Sequence, residues 1–143
     1  MKTSNTDDRP TNVYELCEQV AEAIELAPKN YYQRNWACDA TTVFGNEACG
    51  TAYCRAGWMY AIGKQDTRHR ADLISEYGHK VLRAVGVTES DINHLFGGSS
   101  CWVDRPGSKR YVTEGAAGMR RLMTKYEESM KATKLDEKGN VVK

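Results

Sequence analysis

Cys49–Gly63, CGTAYCRAGWMYAIG, concentrates two thiols, the large aromatics Tyr53 and Trp58 and a run of small residues. Gly50–Thr51 has the form of a turn followed by a capping hydroxyl, so the spacing predicts a helix from Ala52 to about Ile62 with Gly63 as its left-handed stop. Arg55 is the only charge within that span. A helix that is apolar on nearly every face belongs inside a protein rather than on its surface. Ala56 and Gly57 leave its backbone almost bare, so a neighbouring helix can come close while Tyr53 and Trp58 fill the space beside them. The expected fold follows from this stretch: a central buried helix with the other elements packed around it.

Working outward, Asn12 and Glu15 have capping-box spacing, and Val13, Leu16, Cys17, Val20, Ala21 and Ile24 recur on one face of a first helix that Pro28 stops. Glu18, Glu22 and Glu25 line its other face. Past the central helix, Thr67 is the expected cap of a stretch carrying Leu73, Ile74, Tyr77, Val81, Leu82 and Val85, with a kink expected at Gly78 and an end at Gly86. Thr88 and Asp91 bracket a short helix with Ile92, Leu95 and Phe96. A last helix is expected from Thr113–Glu114, its apolar face made by Ala116, Ala117, Met119, Leu122, Met123, Tyr126 and Met130. Within Asn30–Ala48 the aromatics Tyr31, Tyr32 and Trp36 read as packing residues or as a pocket wall. Thr41–Phe44 has β propensity and needs a partner in Trp102–Val103 or Tyr111–Val112. The architecture expected is mainly α, a compact single-domain bundle of four or five helices with a short β-ribbon in the loops. Residues 1–10 read as a flexible arm, 11–131 as the helical domain and 132–143 as a disordered tail.

Lys and Arg number 20 against 19 Asp and Glu, a formal charge of +1, which disfavours a dedicated duplex-DNA binder. No apolar leader precedes the first helix and no run is long enough to span a bilayer, so the expectation is a cytoplasmic protein with no membrane partner. Five cysteines in a reducing compartment argue against a disulfide framework.

Three constellations carry chemistry. Cys38, Cys49, Cys54 and Cys101 are the thiols available for a tetrahedral zinc site, although the Cys49–Cys54 spacing is wide, a second close pair is absent and His69, His79 and His94 lie elsewhere. No cofactor is therefore expected, zinc being the one alternative. Cys49 or Cys54 at a helix N-terminus is the candidate nucleophile of a thiol enzyme, with His79 or His94 as base. The third constellation is electrostatic. Lys109, Arg110 and Arg120 surround the bare glycine-rich start of the last helix, where N–H groups of Gly115 and Ala116 are expected to face a phosphate or carboxylate, and Trp102 or Tyr111 to cover a flat group. Arg121, a step further round, is expected to face water. No Walker or dinucleotide pattern is present.

The runs CGTAYCRAGW (49–58), LFGG (95–98) and YVTEGAAGMRRLM (111–123) resemble those of small uncharacterised proteins of bacteriophages and their hosts. That resemblance implies a phage setting in the host cytosol and carries over no catalytic residue. The function expected is non-enzymatic binding, either blocking a host or defence protein or sequestering a small anionic, nucleotide-like ligand. A cysteine-dependent enzyme and a zinc-stabilised interaction module are the alternatives, and a homo-oligomer is left open.

Overall fold

The computed structural model describes residues 9–27, 30–31, 37–39, 51–66, 71–97 and 108–142. They form a mainly α arrangement of six helices: α1 (Val13–Leu26), α2 (Arg55–Lys64), α3 (Ala71–Val85), α4 (Glu89–Gly97), α5 (Lys109–Lys125) and α6 (Glu127–Ala132). Helix α1 packs chiefly along α5, and α2 lies against both α1 and α3. The expected cap holds at α1, where the Glu15 N–H donates to Asn12 Oδ1 at 2.8 Å, and Glu15 Oε1 accepts from the N–H of Thr11, one residue before the cap. All six residues of the expected apolar stripe on α1 are buried.

Helix α2 is buried as its composition requires, with Arg55, Ala56, Gly57, Met59, Tyr60 and Gly63 inside. Both of its ends differ from the expected ones. Thr51–Tyr53 is a strand, β2, paired antiparallel with β1 (Ala37–Asp39) in the register Ala37↔Tyr53, Cys38↔Ala52, Asp39↔Thr51. The cap passes to Cys54, whose Sγ accepts from the Gly57 N–H at 3.4 Å. Gly63 stays helical and buried, and Gln65 takes the left-handed stop at φ 55°. The ribbon expected from Thr41–Phe44 and Trp102–Val103 lies outside the described residues, and Tyr111–Val112 is helical.

Helix α3 runs unbroken through Gly78, and Phe96 occupies the space a side chain there would need: a Cβ would lie 2.8 Å from its ring. The glycine accommodates a neighbour rather than bending the helix. Gly86, at φ +97°, does end it. Thr88 caps α4 by accepting the Asp91 N–H at 3.1 Å.

The segment expected to be a tail is folded back. Lys134 bridges Asn12, Leu135 bridges Val141, and the Leu135 N–H donates to the Thr11 carbonyl at 2.9 Å. Leu135 is buried, and the Tyr77 hydroxyl donates to the Gly139 carbonyl at 2.7 Å. At the end of the expected arm, Pro10 is buried and the Arg9 guanidinium donates to the Glu137 carbonyl. Among the described residues no helix is long and apolar enough to cross a membrane.

Candidate anion pocket between α4 and α5

Helix α5 starts at Lys109, capped by Ser108, whose hydroxyl accepts the Tyr111 N–H at 3.2 Å. The cap is five residues earlier than the expected Thr113, which changes the site. Gly115 and Ala116 lie inside the helix, buried, so their N–H groups sit within its ladder and do not open towards an anion. Tyr111 is buried against Tyr31, ring centroids 5.4 Å apart, which makes both core residues. Arg120 is held by Glu25 of α1 through two hydrogen bonds of 2.6 and 2.8 Å. Lys109 and Arg110 are exposed at the start of α5, and eleven residues of helix place the Lys109 backbone about 16 Å from that of Arg120. One small anion cannot touch both. Trp102 lies outside the described residues.

The cations converge elsewhere. A pocket of ≈ 160 Å³ is lined by Arg55, Asp91, His94, Leu95, Gly118, Arg121, Leu122 and Lys125. Its geometry follows from helical spacing: 118, 121, 122 and 125 form one stripe of α5, and 91, 94 and 95 form the facing stripe of α4. Arg55, at the first turn of α2, supplies the inner wall and is 1% exposed. Its guanidinium donates to the carbonyls of Gly115 (3.0 Å), Leu95 (2.8 Å) and Glu114 (3.0 Å). These three acceptors hold the guanidinium in one orientation. Gly118 is what allows it to lie there, because a Cβ at 118 would fall 2.2 Å from Arg55 Nη2.

At the rim, Asp91 accepts from Lys125 Nζ at 2.8 Å and from the Tyr126 hydroxyl at 2.5 Å. These two donors, Lys125 first, hold the Asp91 carboxyl below the usual aspartate range. Arg121 is exposed, as expected, and lies 3.9 Å from Glu114, a loose pairing. The walls thus carry Arg55, Arg121, Lys125 and the imidazole of His94, with Lys125 bonded to Asp91 and Arg121 beside Glu114. The sequence did signal two of the parts: Arg55 is the lone charge of an apolar helix, and Gly118-x-x-Arg121-x-x-x-Lys125 is a helical stripe.

The thiol sites read differently. Cys54 is 2% exposed and burial, partly offset by backbone N–H groups of Gly57 and Ala56, pushes its thiol up to about 11. Cys17 is pushed up to about 12 by burial. Both thiols are therefore protonated near neutrality, the unreactive form. His94 is exposed on α4, and His79 Nδ1 lies 2.8 Å from the Ser75 carbonyl. Cys49 and Cys101 lie outside the described residues, and of Cys38 only its place in β1 is described. Among the described residues no group of three or more His, Cys, Asp or Glu could hold a metal ion.

No protein-family model matches this chain, and no curated protein or solved structure matches it.

Proposed function

We propose that this chain is a binding protein whose ligand is a small anion seated in the pocket between α4 and α5. The observation that carries the reading is the convergence there of the side-chain donors of Arg55, Arg121, Lys125 and His94 from three helices, with Arg55 held in place by three carbonyls. A guanidinium that is already oriented loses little further freedom when it meets an oxyanion, and charge-assisted hydrogen bonds are the strong ones. The resemblance in the 49–58 and 111–123 runs supports a phage accessory protein that acts in the host cytosol. Sequestering an anionic ligand fits that setting better than blocking a host or defence factor, because the cations are gathered in a concave site rather than spread over a flat face. The burial of Cys54 and its raised thiol weigh against Cys54 as the nucleophile of the cysteine-enzyme alternative.

The test is calorimetric titration of orthophosphate into the full chain and into Arg121→Ala. Charge-assisted hydrogen bonds contribute about 1.5–3 kcal/mol each, so the substitution is expected to weaken phosphate about tenfold or more. Equal affinity in the two proteins would leave these cations as a solvated face.

A further inference from the structure

We infer that the pocket selects an oxyanion that still carries a proton, hydrogen phosphate rather than a fully ionised tetrahedral anion such as sulfate, and that Asp91 is the residue that reads the proton. This deepens the reading of the pocket as an anion site and rests on it.

Size is the first argument. Pockets that take whole small-molecule ligands run from about 300 to 1,000 Å³, and one of ≈ 160 Å³ suits an inorganic ion. Hydrogen phosphate and sulfate present the same tetrahedron of oxygens and the same double negative charge. Arginine and lysine side chains offer donors and no acceptor, so Arg55, Arg121 and Lys125 do not tell these anions apart by the kind of hydrogen bond they make. Telling them apart takes an acceptor that meets the one O–H.

Asp91 supplies that acceptor. Among the described residues lining the pocket it is the single carboxylate. Lys125 Nζ and the Tyr126 hydroxyl both donate to its Oδ2, at 2.8 and 2.5 Å, so the group is held in place through one of its oxygens. An ionised carboxylate has about four acceptor positions on its two oxygens, so these two bonds leave it capacity to accept from a ligand. The same donors, Lys125 first, hold the carboxyl below its usual range, and near neutrality it accepts and does not donate. Its side chain is 26% exposed, so only a limited amount of water shields it. An anion with an O–H donates that proton to Asp91, whereas one without sets oxygen against oxygen with nothing between them. A site that bonds a hydroxyl rejects the analogue lacking it, because the acceptor is then left unmet. His94, exposed at the rim, offers one donor and one acceptor nitrogen when neutral, and a change at Asp91 leaves it untouched.

The experiment titrates orthophosphate, sulfate and methyl phosphate separately into the full chain, by calorimetry at pH 8 and fixed ionic strength. At that pH orthophosphate is the dianion that keeps one proton, whereas methyl phosphate, with a second pKa of about 6, keeps none. Orthophosphate is expected to bind about tenfold more tightly than either of the others, or more. Asp91→Asn is nearly isosteric and presents an amide that donates as well as accepts, so it is expected to strengthen sulfate more than orthophosphate and to bring their ratio to within about twofold. The ratio is the readout, since removing a negative charge strengthens both anions. The comparison on the unaltered chain stands by itself should the variant fail to fold. Sulfate or methyl phosphate binding as tightly as orthophosphate to the unaltered chain would overturn the inference while leaving the pocket reading intact, and so would an unchanged ratio in Asp91→Asn. If none of the three binds, the pocket reading itself fails and the inference with it.

Discussion

Arg55 and Gly118 are a matched pair, and each explains the other. A buried guanidinium needs its N–H groups directed at acceptors, and the carbonyls of Leu95, Glu114 and Gly115 lie within reach only because no side chain stands at 118. Gly118→Ala therefore sets two effects against each other. Alanine favours the helix by about 1 kcal/mol, but its methyl would displace a guanidinium anchored on three carbonyls, and overpacking of this kind costs about 1–3 kcal/mol. Net destabilisation of about 1 kcal/mol is expected from urea unfolding; a more stable variant would show that Arg55 moves aside freely. The sequence exposed Arg55 as an anomaly in an apolar helix but not its partner, since 63 residues separate the two positions and no periodicity links them. Cys54 was legible as a thiol at a helix start, and its chemistry was not, because burial is a property of the whole packing. With its thiol pushed up to about 11, Cys54 is expected to resist iodoacetamide at pH 7.5 in native protein and to react once the chain is unfolded in urea. Mass spectrometry of the peptide containing Cys54 reads this directly, and rapid native labelling would restore the cysteine-enzyme alternative.

At the scale of elements, most errors of expectation are at helix ends. Thr51 and Cys54 both precede the central helix, and Ser108 and Thr113 both precede the last one; each is able to cap, and pairing with Ala37–Asp39 decides the first choice. The apolar stripes, which depend on burial summed over several turns, were legible throughout. The C-terminal segment was not, because it is anchored by backbone pairing and by Leu135 and Gly139 rather than by a periodic face. Gly139 holds φ +79°, and a Cβ there would meet the Gly63 carbonyl oxygen at 1.9 Å. Since the clash is with backbone, Gly139→Ala is expected to undock the segment at a cost of roughly 2 kcal/mol or more, seen as faster amide exchange at Leu135 and Val141 together with a lower melting temperature. The Glu25–Arg120 pair joins α1 to α5 more weakly. Arg120, first through its hydrogen bond, lowers the Glu25 carboxyl below its usual range. A depressed carboxylate contributes stability at pH values above the ordinary glutamate range and loses it as acid protonates the folded form. The pair is more than a third exposed, so the loss is expected to be about 0.2–1 kcal/mol, and Glu25→Gln is expected to remove that part of the acid sensitivity in melts taken from pH 6 down to pH 3.

For the whole molecule, anion binding in the proposed pocket would be coupled to folding through the same three helices. The pocket draws Arg55 from α2, His94 from α4 and Arg121 and Lys125 from α5, so it exists only while those helices are packed. An unfolded chain of charge +1 has no comparable concentration of cations and binds the anion far less. A ligand bound there would therefore stabilise the native state by RT ln(1 + [L]/Kd), about 2.7 kcal/mol at a hundredfold excess over Kd. For a chain of this size that corresponds to a rise in melting temperature of roughly 5–10 °C. The expected outcome is that phosphate raises the melting temperature in a saturating manner at constant ionic strength, whereas chloride substituted for it does not. General screening acts on all exposed charges alike, and saturation is the mark of a site. Arg121 and Lys125 have side chains more than half exposed, so the double variant Arg121→Ala, Lys125→Ala is expected to melt within a few degrees of the parent without phosphate and to lose most of the phosphate-dependent rise. A rise that survives in the double variant would place the anion elsewhere on the molecule, with the exposed Lys109 and Arg110 at the start of α5 as the next positions to replace.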